Sequence, residues 1–439
     1  MANEPTRVPG SILIKHGRVI DPAEGFDSQA DVAVRGGRIE RIDRGIGDQG
    51  FDEVVDARDC IVAPGLIDPH VHLRDPGQSH KEDIATGTAA AVFGGFTTVC
   101  CMPNTSPALD TPEMLEVVAS RAGARGQCRV FSVAAATKAR AGKELAEIAL
   151  LAKAGAVGFS DDGDVVEDAA MMLRALRAVK ETGRAFMQHC QETSLTGGAS
   201  MHQGEVSTRL GLVGWQRIAE ELIVERDVRL VGETGCAYHV QHLSSAGSVE
   251  VVRRARERGL PVSAEASPHH LLLTHEACDN FNTMAKMNPP LREQSDIDAI
   301  REAVVEGWIS VLATDHAPHT DEEKCRPFEA APFGIIGLQT ALPLYARALV
   351  ETGLIDWPRL IALMTIEPAR LCGLDACGLG ALRQGGPADI TVIDPAMRWT
   401  IDRDAVLGRS KNTPFHGWNV TGAARATIVG GRIAFSATA

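Results

Sequence analysis

Ile61-Val-Ala-Pro-Gly-Leu-Ile-Asp-Pro-His70-Val-His72 opens the part of the chain from which its architecture can be read. An apolar run, Ile61 to Asp68, reads as a strand and leads into two histidines one residue apart. Side chains two positions apart on a strand point the same way, so His70 and His72 share one face. Working outward, seven more apolar runs alternate with helical-looking segments: Phe96 to Met102, Arg129 to Ala135, Ala156 to Ser160, Ala185 to His189, Tyr238 to Leu243, Leu260 to Glu265 and Ile309 to Thr314. Repeated strand–helix units imply a parallel sheet, and eight strands close a (β/α)₈ barrel. A doubly wound open sheet is the alternative.

The two ends of the chain have another texture. Ser11 to Ile20, Asp31 to Asp43 and Glu53 to Val62 read as short strands, as do Ala388 to Asp394 and Ala426 to Phe435. Gly36-Gly-Arg-Ile39 is echoed by Gly430-Gly-Arg-Ile433. Paired glycines reach the positive φ of a tight hairpin, so each copy is expected to turn one strand onto the next. These segments predict one small β-sandwich made from both ends, with residues 1–62 and 375–439 flanking a barrel at 63–374.

The composition suits such a fold. Hydrophobic residues make up 44% and charged residues 23% of 439 positions, ordinary values for a chain with a large core. A net charge of -13 argues against nucleic-acid or anionic-membrane partners and toward a small-molecule substrate. The first thirty residues lack a charged-then-apolar signal pattern, and no stretch approaches the roughly 20 apolar residues of a membrane span. A cytoplasmic location is expected. The ten cysteines contain no C-x-x-C pair and read as free thiols, mostly buried.

Polar residues fall at strand ends. His70 and His72 follow the first strand, Asn104 the second, and Asp161 and Asp162 the fourth; His189 ends the fifth, His242 the sixth and Asp315 the eighth. In a barrel these ends converge on the face where active sites are built. Imidazole with carboxylate suits Zn²⁺ better than Mg²⁺ or Ca²⁺. Four histidines and two aspartates exceed the needs of one tetrahedral ion with an open position, so two metals are expected. Either Asp161 or Asp162 can serve between them. Cys190 is expected to face the core, whereas His80, His202, His275 and His416 read as loop or surface residues, and His269-His270 as ambiguous.

On these residues the chain resembles the amidohydrolase superfamily, and within it the class I dihydroorotases. The ordered set is specific: Gly65-Leu-Ile-Asp-Pro-His-Val-His-Leu-Arg-Asp-Pro-Gly77, Gly94-Gly-Phe-Thr-Thr-Val99, Met102-Pro-Asn-Thr105, Phe159-Ser-Asp-Asp-Gly163, His239-Val-Gln-His-Leu-Ser-Ser245, Met287-Asn-Pro-Pro-Leu-Arg292 and Ala313-Thr-Asp-His-Ala-Pro-His319. The resemblance implies a distorted TIM-like barrel with an appended sandwich, and reversible cyclisation of N-carbamoyl-L-aspartate to L-dihydroorotate in pyrimidine synthesis. It implies two zinc ions: His70, His72 and Asp315 on one, His189 and His242 on the other, with Asp162 and a hydroxide bridging. It also implies Asp315 as general base then acid, and His72, Arg74, Asn104, Asn288, His319, Phe333 and Gly334 at the substrate.

Hydantoinases, dihydropyrimidinases and allantoinases are similar but bridge their metals with a carboxylated lysine on the fourth strand. Here that segment, Gly155 to Gly163, has no lysine after Lys153, which favours the dihydroorotases. Some dihydroorotase-like chains are inactive scaffolds for aspartate transcarbamoylase, but those lose ligands that this chain keeps. A homodimer is expected, with aspartate transcarbamoylase as a candidate partner. Gln191 stands where relatives often carry an acid, and together with the loop from Gly198 to Gly204 it is expected to touch no matched ligand. The segment between His319 and Phe333, with Asp321-Glu-Glu-Lys324, reads as a solvated, mobile loop.

Overall fold

The computed structural model describes residues 10–437. Eight parallel strands form the central sheet in chain order: Leu66–Val71, Phe96–Cys101, Arg129–Ala134, Gly158–Phe159, Ala185–Gln188, Tyr238–Val240, Val262–Ala266 and Val311–Leu312. The first and eighth strands meet beyond their regular ends. Val71 bridges His316 in parallel, and the His72 amide donates to the His316 carbonyl at 2.9 Å. Buried Asp68 adds a clasp, its carboxylate accepting from the His70 amide (3.1 Å) and the Thr314 amide (3.3 Å). The barrel is therefore drawn closed at the end where the histidines sit.

Helices between the strands begin where capping residues stand. Asp83 accepts from the Thr86 amide ahead of Ile84–Phe93, Asp168 from the Met171 amide ahead of Ala169–Lys180, and Ser245 from the Gly247 amide ahead of Ala246–Glu257. Each cap satisfies a donor that the first helical turn leaves without a partner. The packed interior runs through Val99, Phe159, Phe186, Val240, Ala264 and Leu312.

The chain ends pair as expected, but the first run divides. Ile61–Pro64 leaves the barrel and joins a terminal sheet, parallel to Ile12–Asp21 and antiparallel to Ile390–Thr400; only Leu66–Val71 enters the barrel. Gly65 marks the transfer, because a side chain there would lie 2.1 Å from Thr97 Oγ1. The terminal elements form a single eight-stranded sheet rather than two separate layers. It curls: its edge strand Arg38–Asp43 reaches round to the segment before Ile390, with the Ile39 amide donating to the Gly386 carbonyl at 3.0 Å. Both Gly-Gly pairs make the expected hairpins, at φ of +56° and +77° for Gly36 and Gly37 and +55° and +76° for Gly430 and Gly431. Ile12, Val32, Val62, Ile390 and Ile428 fill the inside of the curl.

Thr391 Oγ1 donates to the Gly95 carbonyl at 2.6 Å, and Thr427 Oγ1 to that of Val92 at 2.7 Å. These bonds fix the sheet against the helix and strand that follow the histidine pair. Eight of the ten cysteines are buried and all are free.

Candidate metal centre

Six side chains from five strand ends meet in one buried cluster. His70, His72, Asp162, His189, His242 and Asp315 fall into three overlapping trios, each with its ligand atoms within 4.8 Å of one another. His72 Nε2 is 2.9 Å from Asp315 Oδ1 and 3.5 Å from Asp162 Oδ2. His70 Nε2 is 3.4 Å from Asp162 Oδ1 and 3.5 Å from Asp315 Oδ1. Opposite them, His189 Nδ1 and His242 Nε2 lie 3.9 and 3.7 Å from Asp162 Oδ1. Asp162 thus faces all four imidazoles.

Asp161 turns the other way. Its Oδ1 accepts from the amides of Ala136 (2.9 Å) and Thr137 (3.0 Å), and its Oδ2 from the Thr137 hydroxyl. It ties the loop after the third strand and is absent from the clustered ligand trios. Lys153 is exposed at the end of the helix Ile148–Lys153, outside the cluster.

Outer partners aim three of the rings. Glu265 Oε1 lies 2.5 Å from His70 Nδ1, Asn104 Oδ1 lies 2.8 Å from His72 Nδ1, and Gln191 Oε1 lies 3.0 Å from His189 Nε2. An oxygen acceptor fixes the proton on the outer nitrogen and turns the other lone pair inward. His70 Nε2 is consequently buried with no hydrogen-bond partner among the described residues. An orphaned imidazole nitrogen facing two carboxylates is costly unless a cation receives it. The donor set fits Zn²⁺.

Charge follows the same geometry. Burial works to raise the Asp162 carboxyl, but His70, His242 and His72 together hold it well below the usual range. Burial pushes the His189 imidazole down to about 4, with His242 adding to the effect. For His70 burial pushes downward, and Asp162, Glu265 and Asp315 outweigh it. Arg74, His242 and Asp315 hold φ of +57°, +29° and +48°. Strain of this kind at non-glycine residues persists where surrounding structure over-determines it.

The residues matched to substrate lie around the cluster. Arg74 is buried; its guanidinium reaches the Pro318 carbonyl (3.3 Å) and His319 Nε2 (3.4 Å) and pairs with no carboxylate among the described residues. Asp75 instead pairs with Arg121, and Glu82 accepts from the Arg409 amide. Asn288 Nδ2 donates to Gln191 Oε1 at 3.1 Å while its own Oδ1 is buried without a partner among the described residues. Phe333 packs edge-on against Trp215 at 6.0 Å. At Gly334 a side chain would come within 2.7 Å of the His319 ring.

Four expectations change. Gln191 does touch a matched ligand, since its amide oxygen joins His189 to Asn288. His202 and His275 are buried, 5.3 Å apart, with His202 Nδ1 3.3 Å from Arg292 Nη1; the run of polar residues around them hid an internal packing site. The loop after His319 is anchored: Lys324 is buried, its ammonium donating to the Pro332 and Gly334 carbonyls. Glu265, read only as the end of a strand, is the acid behind His70 and also accepts from His239 Nε2 at 3.0 Å. Strand alternation carried the signal for Glu265; Gln191 stood out as a departure from its relatives, but nothing in the sequence aimed its side chain at His189. Cys190 faces the core as expected, 3.5 Å from the Tyr238 hydroxyl.

A family model described as dihydro-orotase-like matches residues 59–248. Curated relatives include a dihydroorotase of Trichlorobacter lovleyi, 45% identical over 97% of this chain and 99% of its own length. Another, from Geobacter metallireducens, is 44% identical over 97% of this chain and 99% of its own. Among solved structures, the L-hydantoinase (dihydropyrimidinase) from Arthrobacter aurescens has a TM-score of 0.86 over 97% of this chain and 96% of that one, at 24% identity. The D-hydantoinase (dihydropyrimidinase) from Thermus sp. has a TM-score of 0.83 at 25% identity, covering 97% and 95%.

Proposed function

The chain belongs to the dihydroorotase family, and from that premise we propose that it interconverts N-carbamoyl-L-aspartate and L-dihydroorotate, with loss or uptake of water, as a step of pyrimidine synthesis. The observation that carries this choice over its relatives in fold is Arg74. A buried guanidinium that pairs with no carboxylate among the described residues stands two residues after His72. Dihydroorotate brings a carboxylate that hydantoin and dihydrouracil lack, and a planar guanidinium fork matches it.

His70, His72 and Asp315 would hold one zinc ion and His189 and His242 a second, with Asp162 between them. Such ions, when bound, polarise a carbonyl and bring the pKa of water toward ~7. The remaining work falls to the protein. Asp315 takes a proton from the attacking water and delivers it to the ring nitrogen as the C–N bond breaks; cyclisation runs the same transfer backward. Its Oδ1 lies 2.9 Å from His72 Nε2, so the two groups converge on one point. Arg74 and Asn104 hold the substrate carboxylate. Asn288 and His319 supply further polar contacts, and Phe333-Gly334 lies against the ring.

A hydantoinase-type amidase is the second reading, favoured only by likeness of fold. A substrate panel with added zinc separates the two. Dihydroorotate is expected to be preferred over hydantoin, dihydrouracil and allantoin; a reversed ranking overturns the proposal. Run with and without aspartate transcarbamoylase, with light scattering on the same samples, it also tests the proposed homodimer and that partner. No described helix is long and apolar enough to cross a membrane, and a cytoplasmic site of action is part of the proposal.

A further inference from the structure

Lys286 and Lys324 are 2% and 1% exposed. Lysine is rarely buried so deeply without an acid beside it. Here every acceptor is a backbone carbonyl. Lys286 Nζ donates to Phe328 O (2.6 Å), Glu329 O (3.1 Å) and Ala331 O (2.7 Å). Lys324 Nζ donates to Lys286 O (3.4 Å), Pro332 O (3.0 Å) and Gly334 O (3.0 Å). Each ammonium has three N–H donors and finds three acceptors, which is what allows it to be buried.

Five of the six acceptors lie between 328 and 334, the segment that ends in Phe333-Gly334. The Lys286 ammonium also stands 4.4 Å from the centre of the Phe333 ring, a favourable cation–π distance. The carbonyls of Pro332 and Gly334 both turn to Lys324, while that of Phe333 between them takes no hydrogen bond among the described residues. The Lys286 carbonyl accepts from the Gly334 amide at 2.9 Å. Lys286 lies two residues before Asn288, and Lys324 five after His319. Asn412 closes the arrangement: its Nδ2 donates to the carbonyls of Ala317 (2.9 Å) and Gly334 (3.0 Å), and its Oδ1 accepts from the His319 amide (3.0 Å).

We propose that Lys286 and Lys324 are paired positioning residues that fix the 328–334 segment, and with it Asn288 and His319, against the substrate and not against the metals. The proposal rests on the reading above that Asn288, His319 and Phe333-Gly334 face the substrate. Holding two like charges out of water is an expensive way to anchor a surface loop. Burial pushes Lys286 down to about 8 and Lys324 to about 7, the direction expected when desolvation opposes the ammonium. Apolar packing would hold a loop of no consequence at lower cost.

The test compares wild type with Lys286→Met, Lys324→Met, the double variant and Lys324→Gln in full-length, zinc-loaded protein. For dihydroorotate, each Met variant is expected to raise KM about tenfold or more while kcat stays within about threefold. Zinc content should stay unchanged, and proteolytic cleavage between residues 320 and 333 should accelerate about tenfold as the segment opens. The double variant should be little worse than the worse single one, because both lysines hold one segment. Unchanged KM, unchanged cleavage, or a joint fall of kcat and zinc content with KM constant overturns the proposal. If the Met variants are not recovered folded, Lys324→Gln decides by the same readouts; failure of all four to fold would make the pair a folding element and also overturns it. A wild-type protein inactive on dihydroorotate defeats the functional reading instead, and the cleavage comparison still judges the lysines.

Discussion

The curled terminal sheet and the rim of the barrel bury their residues on opposite terms. Inside the curl lie Ile12, Val32, Val62, Ile390 and Ile428, aliphatic side chains on paired strands. At the rim, four histidines, Asp162, Asp315 and Glu265 are buried together, His70 Nε2 has no hydrogen-bond partner among the described residues, and Arg74, His242 and Asp315 hold positive φ. The sheet gains stability from apolar area removed from water. The rim carries a cost in stability, because buried charges and strained backbone must be over-determined by the structure around them, as is common at sites that bind or react. Activity and stability should therefore respond to mutation in different places.

The largest separation is expected at Asp315. Asp315→Asn should lower kcat by about 10³-fold, equal to about 4 kcal/mol of activation free energy, with the unfolding midpoint of metal-free protein unchanged or raised. Steady-state kinetics beside thermal denaturation check it, and a normal rate removes Asp315 as acid and base. In the sheet, Ile390→Ala should cost about 3 kcal/mol of stability in denaturant titration and leave kcat/KM of the folded fraction unaltered. A loss of turnover from that distance would erase the contrast.

Smaller effects sharpen it. Glu265→Gln keeps the shape behind His70 but removes the charge, and should weaken zinc binding about tenfold or more in chelator competition. Unchanged affinity would reduce Glu265 to packing. The smallest effect is expected from Gln191→Glu, which puts a carboxylate behind His189. Zinc should be held more tightly by less than about tenfold, with little change in kcat. Weaker binding would mean that the amide's link to Asn288, and not the polarity at His189, is what matters there.

How much could be read from residues alone follows the same division. Strand alternation and strand ends pointed to His70, His72, His189, His242 and Asp315, because each sits where an apolar run stops. Asp161 and Asp162 were indistinguishable by that logic, since the fourth strand is only Gly158–Phe159 and too short to set the phase. Resemblance favoured Asp162, and the hydrogen bonds of Asp161 to Ala136 and Thr137 explain why its neighbour is the one that faces the histidines. The break at Gly65 was hidden because the run is buried on both sides of it, so its apolarity is continuous across the change of sheet. The anchored loop escaped because Asp321-Glu-Glu-Lys324 reads as solvated charge; a buried lysine satisfied by carbonyls leaves no mark in composition.

The most direct measurement is zinc content and dihydroorotate turnover in wild type, Asp162→Asn and Asp161→Asn, prepared side by side. The account predicts up to two zinc ions per chain and turnover in wild type, both retained in Asp161→Asn and both lost in Asp162→Asn. Full metal content and activity in Asp162→Asn, with loss of both in Asp161→Asn, would contradict it.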